Sequence, residues 1–223
     1  TSGNNWPSNF ERFTRLKEAI HLIKKLWKED WVTFKGEYYW VKDSKLYTKP
    51  KDPIPMYIAG LGPQSARLAG QEGDGLVTNE IDADKIKNKL FPALKEGARL
   101  AGKDYESLEK VLFIPASYDE DKEKALESIG FWKGSMIKAF YEVDVHDPRK
   151  IEENGQLVGN DVIEKMALVI SNAEEGIKKL KKYVDLGFTE IVLTNSSPNR
   201  EKFVKLLSEE LAPEFKQNGV SKI

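Results

Sequence analysis

The 223-residue sequence contains no cysteine, which excludes thiol catalysis, disulfide bonds and cysteine-ligated metal sites. Histidine is scarce as well: only His21 and His146 occur, too far apart for a zinc motif with two histidines on one helix. Neither sign of charge is in excess, because 35 Lys and Arg residues face 36 Asp and Glu residues. The net charge therefore gives no reason to expect binding to nucleic acid or to a membrane surface.

Long apolar runs are also missing. No stretch of about eighteen apolar residues occurs, so we expect no membrane span. No charged and then apolar leader is seen, so we expect a cytoplasmic protein. Hydrophobic residues make up 40% and charged residues 32%, as in a globular protein. The many Lys and Glu residues and the lack of Cys favour a thermophilic source.

The first part of the chain reads as a helix followed by a hairpin. Ser8 and Glu11 fit a capping box, and apolar residues then recur at helical spacing up to Trp27. We therefore predict a helix that ends near residue 28. Residues 31–41 predict two short strands around a Lys-Gly turn, a small β-hairpin insertion.

From residue 56 onward, strands alternate with helices, which predicts βα units and a parallel sheet. We interpret residues 1–223 as a single domain. Four strands fit either part of an eight-stranded (β/α)₈ barrel, which typically takes ~250 residues, or an open doubly wound sheet. The predicted strands are 56–59, 75–78, 111–116 and 190–194, and the predicted helices are 64–71, 82–101, 119–131, 148–170 with a break near 155–159, 171–185 and 199–211.

Three residues or pairs mark the expected helix ends. Asp82 is a candidate N-cap, Ser171 and Glu174 form a second candidate capping box, and Gly187 is a candidate C-cap.

A glycine-rich turn follows the first core strand. Gly60 and Gly62 permit a tight turn, and Pro63 suits the first position of a helix. The free N–H groups at that helix start favour an anion such as a phosphate. The alternative is an ordinary βα turn in which glycine serves only the geometry. The candidate cofactor-binding residues, named here the glycine turn, are Ala59, Gly60, Leu61, Gly62, Pro63 and Gln64.

Polar residues follow several predicted strands. In a barrel the carboxyl ends of the strands face the active site, although each of these residues could equally be a solvated loop residue. His146 lies in an acid-rich loop and is a weak candidate for a general acid or base, with a plain surface histidine as the alternative. The strand-end candidates are Asn79, Glu80, Ser117, Tyr118, Thr194, Asn195 and Ser196.

Several motifs, taken together, resemble a known family. They are Trp6-Pro7, the helix from Glu11 to Glu18, Phe34-x-Gly36-x-Tyr38-Tyr39, Ile54 to Ala59 with Gly62-Pro63, Ala69 to Gly75, Phe131-Trp132, and Leu211 to Pro213. This set resembles the bacterial-luciferase-like superfamily. Within it, the chain is similar to the coenzyme F420-dependent oxidoreductases, and most to the F420-dependent glucose-6-phosphate dehydrogenase group.

The resemblance implies a fold and a chemistry. The fold would be a TIM barrel, of which this chain supplies about the last four βα units plus the hairpin. The chemistry would be hydride transfer between a bound deazaflavin and a small organic substrate. An FMN-dependent monooxygenase of the same fold is the alternative. The resemblance places Gly60 to Pro63 at the phosphate side of the cofactor and Trp132 near the substrate.

The sequence departs from the family pattern in two ways, and each departure leads to an expectation about function. The family's catalytic His, Asp, Trp and Glu precede the position of Trp6. We therefore expect a catalytically incomplete piece that self-associates or needs an N-terminal half, because a half barrel exposes sheet edges.

The second departure concerns charge. Glu153 and Met166 fall where relatives hold a phosphate with cations, and Glu80 and Asp82 lie near an expected Lys. Negative charge repels a phosphate, so we do not expect a phosphorylated sugar as substrate. The predicted substrate pocket comprises Asn79, Glu80, Trp132 and Glu153.

Overall fold

The computed structural model describes residues 7–137 and 147–216. Its contacts divide the chain into two compact units, one up to Met56 and one from Tyr57 onward. The interpretation as a single domain stays a prediction. No helix within the described residues is long and apolar enough to cross a bilayer.

The first unit consists of a helix and a hairpin. Helix α1 spans Asn9–Lys28, and Ser8 caps it as predicted by accepting a hydrogen bond from the Glu11 N–H at 3.2 Å. Strands β1 (Val32–Lys35) and β2 (Trp40–Ser44) pair antiparallel, which confirms the predicted hairpin.

The second unit is built on a parallel sheet of five strands. The longest strand, β5, pairs with β4, β6 and β7. Ala116 in β5 is paired with both Leu168 and Asn195, so β6 and β7 lie on opposite edges of β5. The parallel sheet and the four predicted strands are confirmed. The strands are β3 (Tyr57–Ala59), β4 (Gly75–Thr78), β5 (Glu109–Tyr118), β6 (Leu168–Ile170) and β7 (Glu190–Asn195).

Two helix predictions were wrong at their ends. The predicted helical region 148–170 stops at Met166, and β6 follows as a fully buried strand. Three apolar residues are too few to show a period, so the strand was missed. The helix predicted for 119–131 is shorter, because Asp121 rather than Asp119 caps it and a 3₁₀ segment, Gly130–Met136, follows.

Two π-helical segments interrupt helices that were predicted to be continuous. They are Ile86–Leu90 and Leu207–Leu211, and each ends two residues before a proline, Pro92 or Pro213. Proline lacks an N–H and its ring collides with the carbonyl four residues earlier, so a widened turn fits it into a helix. The helices of this unit are α2 (Pro63–Glu72), α3 (Ala83–Lys85), α4 (Phe91–Leu100), α5 (Lys122–Ser128), α6 (Pro148–Gly155), α7 (Asn160–Met166), α8 (Ala173–Leu186), α9 (Arg200–Leu206) and α10 (Ala212–Lys216).

The predicted caps hold with one shift. Asp82 accepts hydrogen bonds from two N–H groups at the start of α3, and Gly187 ends α8 with φ of 103°. The second capping box lies one residue later than predicted. Asn172 caps α8 by accepting from the Glu175 N–H at 2.9 Å, and the Glu175 carboxylate accepts from the Ser171 N–H at 2.9 Å.

The two faces of the sheet differ in burial. Ile58, Leu76 and Leu112 are buried on one face. Tyr57 and Phe113 point to the other face, because side chains alternate along a strand, and they are 37% and 41% exposed. The described residues therefore leave one face of the sheet partly open, as expected for part of a barrel.

Candidate functional site

The glycine turn begins where β3 ends. The Gly60 N–H donates to the Val77 carbonyl at 2.9 Å, which ties the turn to β4. A Cβ at Gly60 would lie 2.4 Å from the Ser65 Cβ, so the tight turn itself requires glycine there. The predicted β–turn–helix arrangement around Gly60 is thus present.

The structure does not require glycine at position 62 as it does at position 60. Gly62 is the N-cap of α2, with φ of −131°, and a Cβ built on it would meet nothing within 4 Å. Neither its backbone conformation nor its packing demands glycine. Open space therefore lies beside the start of α2.

The start of α2 has no side-chain cap. Gly62 offers no capping oxygen, and Pro63 takes the first helical position. Helices α5 and α8, in contrast, are capped by Asp121 and Asn172. An uncapped helix start has N–H groups directed at a potential anion, and the helix dipole favours negative charge there. The geometry fits a phosphate, and the assignment of residues 59–64 to a cofactor stays a prediction.

A small pocket lies just beyond the carboxyl end of β4, against the middle of β5, and has a volume of about 100 Å³. Among the predicted substrate residues, Asn79 and Trp132 line it together, whereas Glu80 and Glu153 do not. No charged side chain lines it. We call it the strand-end pocket, and its lining residues are Asn79, Phe113, Ile114, Pro115, Trp132, Ser135, Met136 and Met166.

The two acidic residues predicted for the substrate pocket are placed elsewhere. Glu80 is only 7% exposed. It pairs with Lys85 and accepts hydrogen bonds from the N–H groups of Ile81 and Asp82 at 3.2 and 3.1 Å. These contacts hold the loop after β4 in place. Glu153 is exposed on α6.

Trp132 connects the 3₁₀ segment to the end of β7. Its indole Nε1 donates a 3.1 Å hydrogen bond to the Ser196 hydroxyl, 64 positions along the chain. Ser196 is held in turn because its N–H donates to the Ala116 carbonyl at 2.8 Å. Ser196 was a strand-end candidate, but no sequence signal linked it to Trp132.

The remaining strand-end candidates have structural partners or lie apart from the pocket lining. Ser117 is fully buried, and its hydroxyl lies 2.7 Å from that of Ser128. The Tyr118 N–H donates to the Ser197 hydroxyl at 2.9 Å, and Asn195 accepts from the Ser197 N–H at 2.9 Å. Thr194 accepts weakly, through its carbonyl, from Ser196 at 3.5 Å. His146 lies outside the described residues.

Metal binding has no support in the described parts of the chain. No group of three His, Asp or Glu side chains there is placed to hold an ion.

Comparison with known proteins decides the family. Residues 8–190 match the model of the luciferase-like monooxygenase family. The chain belongs to this family. The predicted luciferase-like resemblance and α/β fold are thereby confirmed.

The matched relatives are longer than this chain. The F420-dependent glucose-6-phosphate dehydrogenase of Amycolatopsis mediterranei is 37% identical over 219 residues, covering 98% of this chain and 66% of that protein. The enzyme of the same name from Mycobacterium avium is 35% identical over 215 residues, covering 96% and 64%. This chain thus spans less than two thirds of the length of these curated relatives, which is consistent with part of a barrel.

Solved structures show the same relation. An F420-dependent secondary alcohol dehydrogenase, in complex with an F420–acetone adduct, superposes with a TM-score of 0.89 at 35% identity, over 95% of this chain and 64% of that one. The F420-dependent tetrahydromethanopterin reductase of Methanopyrus kandleri superposes with a TM-score of 0.74 at 20% identity, over 91% of this chain and 63% of that one, which shows the fold alone.

Proposed function

We propose that this chain is part of a cytoplasmic, coenzyme F420-dependent oxidoreductase that transfers hydride between the deazaflavin and an uncharged organic substrate. Within that enzyme, the glycine turn would hold the phosphate side of the cofactor and the strand-end pocket would receive part of the substrate. Bound F420 supplies the hydride acceptor or donor.

The cofactor proposal rests on the structure at the start of α2. It is uncapped, preceded by a tight turn at Gly60, and bordered by open space at Gly62. Each feature favours close approach of a phosphate to backbone N–H groups. The names of the relatives at 35–37% identity support F420 as the cofactor that brings the phosphate.

The proposal for an uncharged substrate rests on the strand-end pocket. Its wall is largely apolar, with Asn79 and Ser135 as the polar side chains, and none of its lining residues is a cation. Met166 lines it at a position where the family resemblance suggested a phosphate-binding cation. A sugar phosphate would lose its hydration here without gaining a charged partner. A neutral alcohol or ketone fits better, as in the alcohol dehydrogenase neighbour with its acetone adduct.

Titration of the complete protein with oxidised and reduced F420 tests the cofactor. We expect a saturable change in deazaflavin fluorescence at micromolar concentrations. No binding at high micromolar concentration would contradict the proposal. A protein purified with bound FMN and an ordinary flavin spectrum would support the alternative, a monooxygenase of this family.

Turnover tests the substrate class. We expect the F420-loaded complete protein to reduce F420 with isopropanol and not with glucose 6-phosphate. Bound F420 would accept the hydride from the alcohol carbon and a base would take the hydroxyl proton, so that the products would be a ketone and reduced F420. Turnover of the sugar phosphate alone would overturn the proposal for an uncharged substrate.

We also propose that the open face of the sheet is covered by an N-terminal half of the same enzyme. Tyr57 and Phe113 leave apolar surface exposed on that face, and such surface favours association. We expect the isolated chain to self-associate in light scattering and to form a complex with a co-expressed N-terminal half. A stable monomer that forms no complex with the N-terminal half would contradict this proposal.

A further inference from the structure

We propose that Ser196 is a positioning residue that holds the indole of Trp132 as a fixed wall of the strand-end pocket and thereby sets the affinity for substrate. This inference rests on the proposed function. It concerns a residue that makes no direct contribution to the pocket lining.

The indole is held by packing and by one hydrogen bond. It packs against the buried cluster that includes Leu126, Ile129 and Ile163. The ring also lines the strand-end pocket together with residues of β5. Packing alone permits a planar ring to rotate or slide within its contacts, whereas a hydrogen bond from Nε1 fixes its direction.

The hydrogen-bond acceptor is itself rigid. The Ser196 N–H is tied to the Ala116 carbonyl at 2.8 Å, so the serine backbone is anchored to β5. The Ser196 hydroxyl oxygen accepts the hydrogen bond from the indole N–H at 3.1 Å, and its only other hydrogen bond among the described residues is the long one to the Thr194 carbonyl, at 3.5 Å. The hydrogen bond therefore fixes the orientation of the ring relative to the sheet that frames the pocket, and not only relative to its own short 3₁₀ segment.

The test compares Ser196→Ala with Ser196→Thr, which keeps the hydroxyl. In the complete protein loaded with F420, we expect Ser196→Ala to raise KM for isopropanol about fivefold, the effect of losing one neutral hydrogen bond. We expect kcat and F420 affinity to stay within about twofold, since the change affects uniform binding. Ser196→Thr should restore KM.

Two further measurements separate positioning from a general loss of structure. The Trp132 indole N–H resonance, identified by its absence in Trp132→Phe, should exchange faster with solvent in Ser196→Ala. Ser197→Ala removes the hydroxyl that the Tyr118 N–H binds and is the matched control. It should leave both the Trp132 resonance and KM unchanged. In the Trp132→Phe background, Ser196→Ala should have no additional effect on KM, because the coupled partner is already gone.

The outcomes are distinct. A wild type that binds no F420 or turns over no secondary alcohol refutes the proposed function, and the positioning role falls with it. A wild type that works, together with a Ser196→Ala variant whose KM is unchanged, refutes the positioning role alone. An equal rise in KM in Ser197→Ala would do the same.

Discussion

The ammonium group of Lys122 donates a 2.6 Å hydrogen bond to the carboxylate of Glu175, joining α5 to the first turn of α8. Lys179 contributes a second contact to the same carboxylate at 2.7 Å. Burial alone would raise the pKa of Glu175, but the hydrogen bonds from Lys122 and Lys179 outweigh it and lower the pKa from 4.5 to about 2. The charged form of Glu175 therefore stabilises the folded state.

This pair predicts a pH dependence of stability. A depressed pKa gives stabilisation that is complete above the unfolded value of 4.5 and is lost as the pH falls towards about 2. The shift corresponds to at most about 3 kcal/mol, because a quarter of the side chain is solvent-exposed and screening reduces it. Urea denaturation should show wild type losing more free energy of unfolding between about pH 5 and pH 2 than Glu175→Gln.

Asp185→Asn is the control for this comparison. Asp185 pairs with Lys181 at 2.7 Å, but both side chains are more than half exposed. Exposed pairs contribute about 1 kcal/mol or less. A parallel acid profile for wild type and Glu175→Gln would contradict the assignment.

Helices α2 and α4 approach each other closely at Gly97, and we expect a larger side chain there to be destabilising. A Cβ there would lie 2.1 Å from the Arg67 carbonyl oxygen, a backbone atom that moves only with α2 itself. Gly97→Ala should therefore separate α2 from α4 and lower the free energy of unfolding by about 1–3 kcal/mol. Gly130→Ala is the matched control, because a Cβ at Gly130 meets nothing within 4 Å. Thermal or urea unfolding measures both, and equal stability of the two variants would refute the close approach.

At Gly62, in contrast to Gly97, we expect substitution to affect cofactor binding more than stability. Its substitution by alanine adds a methyl group to open space, so Gly62→Ala should lose no more than about 1 kcal/mol of stability, the usual difference between glycine and alanine at an N-cap. If the space belongs to a cofactor phosphate, the same methyl group should weaken F420 binding about tenfold or more by keeping the phosphate from the helix N–H groups. Fluorescence titration measures this, and Gly130→Ala should bind as wild type.

We expect Glu18 to protect the backbone amides of the hairpin turn from hydrogen exchange. Its carboxylate accepts hydrogen bonds from the N–H groups of Glu37, Tyr38 and Tyr39 at 2.7, 2.9 and 3.1 Å. These bonds, chiefly that of Tyr38, lower the pKa of Glu18. Glu18→Gln should speed hydrogen exchange of these amides, because the amide side chain is a weaker acceptor with only one oxygen. The exposed Glu29→Gln serves as control, and unchanged exchange would contradict the role of Glu18.

Much of the fold was predictable because it depends on local signals. Strand β4 has the predicted bounds, residues 75–78, because a short apolar run stands there between Gly73-Asp74 and the polar residues Asn79 and Glu80. The start of α1 at Ser8 followed from its capping box. Strand β6 and the π segments before Pro92 and Pro213 were missed, because their form depends on pairing and strain that a local pattern does not show.

The candidate site was predictable only in part. The glycine turn was predicted from Gly60, Gly62 and Pro63. The structure adds that the turn requires glycine at position 60, whereas a Cβ at position 62 would meet open space. That Asn79 and Trp132 line the same pocket depends on how the 3₁₀ segment packs on the sheet. The inward turn of Glu80 toward Lys85 depends on a loop conformation, and the bond from Trp132 to Ser196 spans two distant segments. Neither leaves a trace in a single sequence.

The proposed function depends most on the glycine turn holding the phosphate side of F420. The most direct test measures the affinity of the complete protein for F420 and for the same deazaflavin without its phosphate-bearing side chain, in wild type and in Gly62→Ala. We predict that wild type strongly prefers the phosphate-bearing form and that Gly62→Ala loses most of this preference while its affinity for the truncated form is unchanged. An equal preference in both proteins would contradict the claim.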